Sequence, residues 1–477
     1  MKKTLTIDPV TRISGFMEIT TEVEDNIVAN AKTSGLLFRG FEKMLKGRSP
    51  LDAIYFTQRI CGICSTSHAV ASSLALQVAL NISMDTNDTY LRDLIHGFEF
   101  LSNHLRQFYL FTIPDFVKMP DINPVSPQKY TDYRIPDNFS QIIINHYLES
   151  INFSRLAHEG VAVLGGKAPH NHGIFAGGVT VNIDSYKLSK IKSILSELSN
   201  FINSAMTEDI KILTEYYPDY FEKGSSYNNF MSYGLFNYYN DKDLFYVNPG
   251  VLLQDKKSPL NSSLITENIK YSWFVDNDNP SALEKDKNSI TYKPGTEKNE
   301  AVDIKKPEAY TFIKAPRYDG VPMEVGPLAR LMLTGEYTRG NSCMDRNSAR
   351  VMETKKIAGI MMNIADKLQL KPNNQKILDI PEKGFGMGLV DTIRGALGHW
   401  LQIENRVIKN YNIITPSMWN FSPLDENGFH GAAEKALIGT AIKDIDNPVE
   451  LGRIVRSFDP CISCATHIIG KYDKCIN

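Results

Sequence analysis

Six cysteines occur in this chain of 477 residues, and four of them form two Cys-x-x-Cys pairs near opposite ends of the sequence. The pairs are Cys61/Cys64 and Cys461/Cys464, with residues 65–460 between them. Two thiolates on one turn can bind one metal ion together, and two such pairs make a four-thiolate site if the fold brings the chain ends together. The spacing therefore indicates a candidate shared metal centre.

Three other interpretations of the cysteine pairs stay open on spacing alone. A structural zinc site is one, although the two pairs of a zinc site usually lie within ~15–20 residues of each other. A thioredoxin-like redox pair is another, although no βαβ pattern surrounds either motif. Unrelated buried thiols are the third, because free cysteine is commonly buried.

A histidine follows each cysteine pair. His68 lies one helical turn after Cys64, so its ring can reach back towards the thiolate. His467 follows Cys464 by three residues. A single histidine near a helix is more often a hydrogen-bonded structural residue than a ligand. Two histidines at related offsets from two pairs favour a common site.

Both cysteine motifs resemble the signature motifs of the nickel–iron hydrogenase large subunit. They read RICGICSTSH (59–68) and RSFDPCISCATH (456–467), and paired motifs of this kind are specific for that family. The resemblance covers almost the whole chain, with 217–308 as the main exception. Other matching segments are IDPVTRI (7–13), FRGFE (38–42), GGKAPH (165–170), GGVT (177–180), RGALGHW (394–400) and PSMWN (416–420).

This resemblance implies an enzyme that interconverts dihydrogen with two protons and two electrons at a nickel–iron centre. Cys61 and Cys461 would be terminal nickel ligands, whereas Cys64 and Cys464 would bridge nickel and iron. The iron of such enzymes also carries carbon monoxide and cyanide. Soft thiolates suit a redox-active nickel, and a terminal thiolate such as Cys461 can accept the proton when hydrogen is split.

Three other residues acquire expected roles from the family motifs. Arg394 would lie above the metals as a fixed cation, acting through hydrogen bonds or as the partner of a base. Asp459 matches the acidic neighbour of that arginine. His68 would be a hydrogen-bond donor that tunes a cysteine sulfur.

A second ion is implied near the end of the chain. Glu42 and His467 match the ligands of a magnesium (or iron) ion, and the backbone carbonyl of Ile413 would be the third protein ligand. A hard ion held by a carboxylate, a carbonyl and waters is reasonable chemistry. On sequence alone, Glu42 would more often be a solvated helix residue.

The sequence departs from the family pattern at four positions. Ser14 replaces a glutamate that relays protons, and a hydroxyl can pass a proton but cannot store one at neutral pH. Asn103 replaces an aspartate expected near Arg394, and Ile393 and Asn171 replace prolines. The departure at Ser14 predicts a different or slower proton route.

The composition is that of an ordinary globular chain and restricts the partners. Lys and Arg number 52 against 54 Asp and Glu, so nothing predicts binding to nucleic acid or to an anionic membrane surface. No apolar run reaches the ~18–20 residues of a spanning helix, and the first residues lack the apolar centre of a signal peptide. Localisation stays open: cytoplasmic, or exported or membrane-associated together with a small subunit.

The elements that must position these residues are mainly helical. We expect a mainly α fold with small β-sheets (α+β), in which long central helices bring the two cysteine motifs together. Short alternating stretches in 4–32 predict an antiparallel sheet within a β-rich segment, 1–35. We expect one catalytic domain, 1–477, carrying a surface insertion at 217–308 with short aromatic strands. Helical periodicity predicts helices at 50–80, 89–113, 140–164, 185–215 and 343–370.

The resemblance also implies partners and processing. Four of the six cysteines are committed to the metal centre, so electrons would leave through an iron–sulfur small subunit in a heterodimer. The tail 468–477, which contains Cys475, would be removed after His467 by a maturation protease once nickel-insertion factors have acted. Cys343 keeps the plain interpretation of a buried thiol at a helix start.

Three protein classes compete with this interpretation. A quinone-site subunit of respiratory complex I shares the ancestral fold but typically lacks the cysteine pairs. A coenzyme-reducing hydrogenase would differ mainly in its partner subunits. A zinc-stabilised scaffold without enzymatic activity would contain zinc and no nickel.

Overall fold

The structure is a computed structural model that describes residues 2–37, 39–121, 130–276, 291–297, 300–372 and 378–465. His467, the tail 468–477 and Cys475 lie outside the described residues. Within this part of the chain, apolar side chains form one large core and a small satellite core around Phe274 and Phe312.

Helices form the body of the molecule, and the longest run through its centre. The predicted mainly α fold with small sheets is confirmed. The helices are α1 (Phe41–Leu45), α2 (Asp52–Gln58), α3 (Ser65–Ala79), α4 (Thr86–Leu105), α5 (Asp137–Gly165), α6 (Ser185–Phe201), α7 (Thr207–Tyr216), α8 (Pro327–Thr334), α9 (Cys343–Lys367), α10 (Pro416–Asn420), α11 (Ala432–Leu437), α12 (Val449–Ser457) and α13 (Ile462–Ala465).

Two of the long helices widen into π-helical turns. Helix α4 continues as Arg106–Thr112, and α6 passes through Ile202–Met206 into α7. The stretch predicted as one helix at 50–80 is instead divided into α2 and α3. Residues 59–64 interrupt it because the Sγ of Cys61 accepts the N–H groups of Ile63 and Cys64, which are therefore not part of a helical turn.

Small antiparallel sheets lie around the helical body. The predicted N-terminal sheet is present as β1-β2-β3, and the sheet β14-β15-β16 covers α3. The others are β4-β5, β6-β7-β8, β11-β9-β13 and β10-β12. The strands are β1 (Lys2–Ile7), β2 (Met17–Glu24), β3 (Ile27–Gly35), β4 (Ile174–Phe175), β5 (Gly178–Val179), β6 (Asn229–Ser232), β7 (Gly250–Leu253), β8 (Lys256–Pro259), β9 (Ile265–Asn268), β10 (Phe274–Asp276), β11 (Thr291–Tyr292), β12 (Glu300–Val302), β13 (Ala315–Tyr318), β14 (Lys383–Thr392), β15 (Gly395–Glu404) and β16 (Val407–Ile414).

The segment 217–308 contains short strands, and its first half contributes to the main core. Tyr217, Phe230, Met231 and Val251 are fully buried there. Aromatic and aliphatic side chains of this part therefore pack among the central helices and do not merely lie over them.

Strand β14 packs directly on the backbone of α3. A Cβ added at Gly386 would lie 1.9 Å from the carbonyl oxygen of Ala75, and one at Gly388 would lie 2.0 Å from that of Ala71. Side chains at these glycines would push the strand away from the helix. The two glycines thus fix the position of α3, which follows directly after Cys64.

Candidate metal centre

The two cysteine pairs meet in the folded chain. All four Sγ atoms are buried and lie within 4.8 Å of one another. Sγ of Cys61 is 3.4 Å from that of Cys461, and Sγ of Cys64 is 3.2 Å from that of Cys464. This set, named here the four-cysteine cluster, has the donors and the closeness that a shared metal centre needs.

Backbone pairing holds the two ends of the chain together at this cluster. The N–H of Ser14 donates to the carbonyl of Pro460 (3.2 Å), and the N–H of Ile462 donates to the carbonyl of Ser14 (2.7 Å). The guanidinium of Arg39 donates to the carbonyls of Ile60 and Ser463, so it joins the two cysteine motifs.

The thiols of the cluster are electrostatically unequal. Hydrogen bonds from the neighbouring thiols, that of Cys464 first, hold the pKa of Cys461 well below its usual range, and the charge of Arg394 adds to this effect. Burial raises the pKa of Cys464. A hydrogen bond between the side chains of Cys461 and Cys64 raises the pKa of Cys64. Cys461 therefore favours the ionised form more than Cys64 and Cys464 do. Its backbone N–H donates to the hydroxyl of Ser417 at 3.0 Å.

Arg394 and Asp459 form a buried pair close to the cluster. Nε of Arg394 donates to the backbone carbonyl of Asp459, and Nη2 donates to its carboxylate, both at 2.9 Å. Arg330 donates to the carbonyls of Thr392 and Ile393 and thereby fixes the turn that carries Arg394. Nη1 of Arg394 is buried and has no hydrogen-bond partner among the described residues.

His68 belongs to a buried chain of hydrogen bonds. Its Nδ1 lies 3.1 Å from Nε2 of His399, whose Nδ1 lies 2.8 Å from the hydroxyl of Tyr411. That hydroxyl donates to Oγ of Ser72 at 3.0 Å. With the Tyr411 hydroxyl donating to Ser72, Nδ1 of His399 donates to that hydroxyl. Nε2 of His399 is then the acceptor of the N–H at Nδ1 of His68. Burial lowers the pKa of His68 to about 3, so the ring is neutral and Nε2 carries a lone pair. The expected hydrogen bond from His68 to a cysteine sulfur stays a prediction.

Two of the three expected ligands of the second ion lie together. Oε1 of Glu42 accepts the N–H of Ile413 at 2.7 Å, and both residues line a cavity of about 10 Å³ that Ala465 also contacts. Nζ of Lys314 lies 3.9 Å from Oε2 of Glu42. The third expected ligand, His467, lies outside the described residues.

The positions that depart from the family pattern have definite partners. The side-chain amide of Asn103 donates to the carbonyls of Ile63 and Glu99, each at 2.8 Å. Asn171 donates to the hydroxyl of Thr66 at 3.0 Å. Both amides therefore hold the first cysteine motif and the start of α3.

Sequence reasoning missed several polar residues around the cluster. Glu99 contacts the start of α3, and Arg106 donates to Oδ1 of Asn103 at 3.3 Å. Arg350 lies 3.6 Å from the carboxylate of Asp459. A signal was present in α4, where His96, Glu99 and Asn103 follow one another at spacings of three and four and so lie on one face of the helix.

Comparison with known proteins agrees with this geometry. The sequence model of the nickel-dependent hydrogenase family matches residues 39–133 and 128–467. The chain is 34% identical to the periplasmic [NiFeSe] hydrogenase large subunit of Desulfomicrobium baculatum, covering 98% of this chain and 95% of that protein. It is 28% identical to the hydrogenase-2 large chain of Escherichia coli K12, covering 98% of each.

Solved structures show the same fold. The H2-activated [NiFeSe]-hydrogenase of Dm. baculatum superposes with a TM-score of 0.90 at 35% identity, covering 98% of this chain and 100% of that one. The reduced Ni-Fe-Se hydrogenase of D. vulgaris Hildenborough superposes with a TM-score of 0.90 at 33% identity and the same coverage. The names of these proteins include selenium, whereas the present sequence has cysteine at all four cluster positions. On both sequence and structure, the chain belongs to the nickel-dependent hydrogenase family and is a large subunit of that family.

Proposed function

We propose that this chain carries out the reversible oxidation of H2 to protons and electrons at a nickel–iron centre held by the four-cysteine cluster. The observation that carries the proposal is the meeting of four buried sulfurs, from both ends of the sequence, within 4.8 Å. A zinc site in a large, well-packed chain has no need of ligands so far apart in sequence.

The residues of the site fit such a centre. Four thiolates suit nickel and iron, and the unpartnered Nη1 of Arg394 is a buried donor suited to an acceptor such as the nitrogen of a cyanide ligand. When bound, the centre would supply the Lewis acidity and the redox capacity that split H2. Cys61 and Cys461 would be the terminal nickel ligands, and Cys64 and Cys464 would be shared between nickel and an iron that would also carry carbon monoxide and cyanide.

The chain itself supplies the proton chemistry and the fixed charge. Sγ of Cys461 would accept the proton, and the cation of Arg394 beside it would favour the ionised, proton-accepting form of this sulfur before each turnover. Asp459 holds two nitrogens of Arg394, so the guanidinium keeps one orientation throughout turnover. Such a preorganised cation stabilises charge without rearranging during the reaction.

The proton must then leave the cluster. The backbone of Ser14 forms a parallel bridge with that of Cys461, so Ser14 lies beside the second cysteine motif. Its hydroxyl can pass a proton to a bound water but cannot retain one. Proton release is therefore expected to depend on water next to Ser14.

A magnesium (or iron) ion is the second proposed cofactor. Glu42 and Ile413 border one small cavity. The carboxylate of Glu42 and the carbonyl of Ile413 would supply two oxygen ligands, with His467 as the third ligand. Lys314 lies near the same carboxylate and would balance part of its charge when the ion is absent.

Electrons leave through an iron–sulfur small subunit in this proposal. The first cysteine motif approaches the surface, since Arg59 and Gly62 are exposed and Ile63 is half-buried. A partner docked on this face would come closest to the metals. No described helix is both long and apolar enough to cross a bilayer. A maturation protease and nickel-insertion factors are the other proposed partners.

Metal analysis of the purified complex tests the proposal. We expect nickel near one per chain and infrared bands of carbon monoxide and cyanide bound to iron. Cys461→Ser should lose nickel and activity, because it removes one sulfur of the cluster. Cys343→Ser is the matched control, since Cys343 is also buried but donates to the carbonyl of Arg453 and lies outside the cluster. Zinc without nickel in the wild-type complex would refute the proposal.

A further inference from the structure

The start of α3, which follows Cys64, has backbone N–H groups that need acceptors from outside the helix. Cys64 is the residue that precedes the helix, and its side chain makes no capping hydrogen bond. The first N–H groups of any helix have no partner within the helix and carry its positive end. Something other than Cys64 must therefore satisfy these groups.

Glu99, on the neighbouring helix α4, supplies that acceptor. Its Oε1 accepts the N–H of Thr66 at 2.6 Å, and its Oε2 accepts the N–H of Ser67 at 2.9 Å. Oγ of Ser67 also donates to Oε2 at 2.7 Å. The Glu99 residue is only 4% exposed, so these bonds are not shared with bulk water. One buried carboxylate thus caps the helix that begins at Cys64.

The surroundings hold this carboxylate in one position. Asn103 donates to the carbonyl of Glu99 and to that of Ile63, joining α4 to the first cysteine motif. Asn171 donates to the hydroxyl of Thr66 from the other side. The distance between the carboxylate and Cys64 is therefore set by several independent contacts.

A negative charge here acts on the neighbouring sulfurs. The positive end of α3 would otherwise draw electron density away from thiolates next to it, as helix N-termini do for cysteine in general. A carboxylate bound to the same N–H groups offsets this positive potential in a region of low dielectric. Burial raises the pKa of Glu99 to about 6, which leaves the carboxyl mostly ionised at neutral pH.

We propose that Glu99 is a positioning residue of the metal centre. It fixes the first turn of α3 and, with it, the position of Cys64. It also offsets the positive end of the helix, so that the sulfur of Cys64 keeps its full donor strength towards the metals. The inference rests on the proposed function, because its effect is measured on the iron-bound ligands.

Infrared spectroscopy of the complete heterodimer with Glu99→Gln tests the charge. Gln keeps the size of the side chain and removes the charge, so less electron density should reach the iron. The carbon monoxide and cyanide bands should then move to higher wavenumber with nickel content unchanged. Asp209→Asn is the matched control, because Asp209 is a fully buried carboxylate that instead accepts a hydrogen bond from the hydroxyl of Tyr109. The carbon monoxide and cyanide bands of the Asp209→Asn variant should stay at the wild-type positions.

Glu99→Asp is the second variant and guards against a failure of Glu99→Gln to assemble. It keeps the charge but moves it by one methylene, so the bands should shift in the same direction and by less. Wild-type bands in whichever nickel-loaded variants assemble would overturn the inference. Absence of nickel or of the bands from the wild-type heterodimer would instead overturn the proposed function, and the two failures are therefore distinct.

Discussion

Arg394 binds one residue, Asp459, through two different groups. The planar guanidinium reaches the backbone carbonyl and the carboxylate at once, and its Nη1 has no hydrogen-bond partner in the described part of the chain. A lysine ammonium is a point donor and cannot reproduce this fork. The role of Arg394 at the metal centre therefore depends on the orientation of its guanidinium more than on the presence of a positive charge.

Arg394→Lys should therefore slow H2 oxidation while keeping the metals. Removing a preorganised donor typically costs about 100-fold or more in turnover. We expect kcat to fall by about that factor with nickel content and infrared bands present. The measurement is H2 oxidation with an artificial acceptor, alongside metal analysis. Turnover equal to that of the wild type would show that Arg394 has no part in the chemistry.

Ser14→Glu tests the proton route at the same scale. A carboxyl group can store a proton where a hydroxyl can only pass one, so the variant should turn over faster and show an altered pH dependence. The pH profiles of kcat for the two proteins provide the measurement. Identical profiles would count against a role for position 14 in proton transfer.

The individual site residues differ in how far sequence alone could reveal them. The spacing of the four cysteines indicated a shared metal site, because two Cys-x-x-Cys motifs can be recognised in the sequence before the fold is known. His399 and Glu99 were not found, since each contacts α3 only after β15 or α4 packs against it. Asn103 was found as a departure from the family pattern, but its hydrogen bonds to the carbonyls of Ile63 and Glu99 were not, because the direction of a side chain on a buried helix depends on packing.

At the scale of elements, the contact between β14 and α3 determines where the first cysteine motif lies. Gly388→Ala should destabilise the protein by about 1–3 kcal/mol, since overpacking forces the strand and helix apart. It should also reduce nickel content, because α3 moves with Cys64. Chemical denaturation and metal analysis provide the two measurements.

Gly359→Ala is the control for that substitution. Gly359 lies in α9 and has no atom within 4 Å of an added Cβ. Alanine there should raise the free energy of unfolding by up to about 1 kcal/mol. Equal losses of stability in both variants would contradict the proposed role of the strand–helix contact.

Helix α12, which leads to the second cysteine motif, depends on an ion-pair network. Nη1 of Arg453 donates to Asp132 at 2.7 Å, and Arg134 binds the same carboxylate at 2.9 Å. Burial alone would raise the pKa of Asp132, but the two arginines outweigh it and lower the pKa to about 2. The carboxylate therefore stabilises the fold above its ordinary pKa, and this contribution is lost as the pH falls towards 2.

Asp132→Asn should reveal this dependence. We expect a loss of about 1–2 kcal/mol at pH 7, since one carboxylate with a lowered pKa is removed. The difference from the wild type should shrink between pH 4 and about pH 2, where the carboxylate becomes protonated. Denaturation midpoints over that range provide the measurement. If the difference in the free energy of unfolding stayed constant over this pH range, the shape of the side chain and not its charge would be responsible for the loss.

Helical periodicity located the long elements well, because each has a wide apolar face. It failed at 59–64, where hydrogen bonds to Cys61 replace helical ones. It also did not indicate that Tyr217 and Phe230 enter the main core, since 217–308 lacks a regular period. Polar composition there concealed buried aromatic residues.

The whole molecule is organised by the meeting of its two ends. The resemblance to the family predicts that the chain is cut after His467 once nickel is bound. Active enzyme should therefore have an intact mass that lacks residues 468–477, whereas nickel-free chain should retain them. Mass spectrometry of both forms provides the measurement. Nickel-loaded, active protein that keeps its tail would contradict the prediction.

The pairing of Ser14 with Pro460 and Ile462 also has a consequence for synthesis. Ribosomes add about 5–20 residues per second, so the segment around Ser14 leaves the ribosome roughly 20–90 seconds before its partner exists. During that interval Cys61 and Cys64 are exposed without their counterparts. The shared metal centre can therefore form only after the second motif has been made, so metal delivery to all four cysteines must follow nearly the whole of translation.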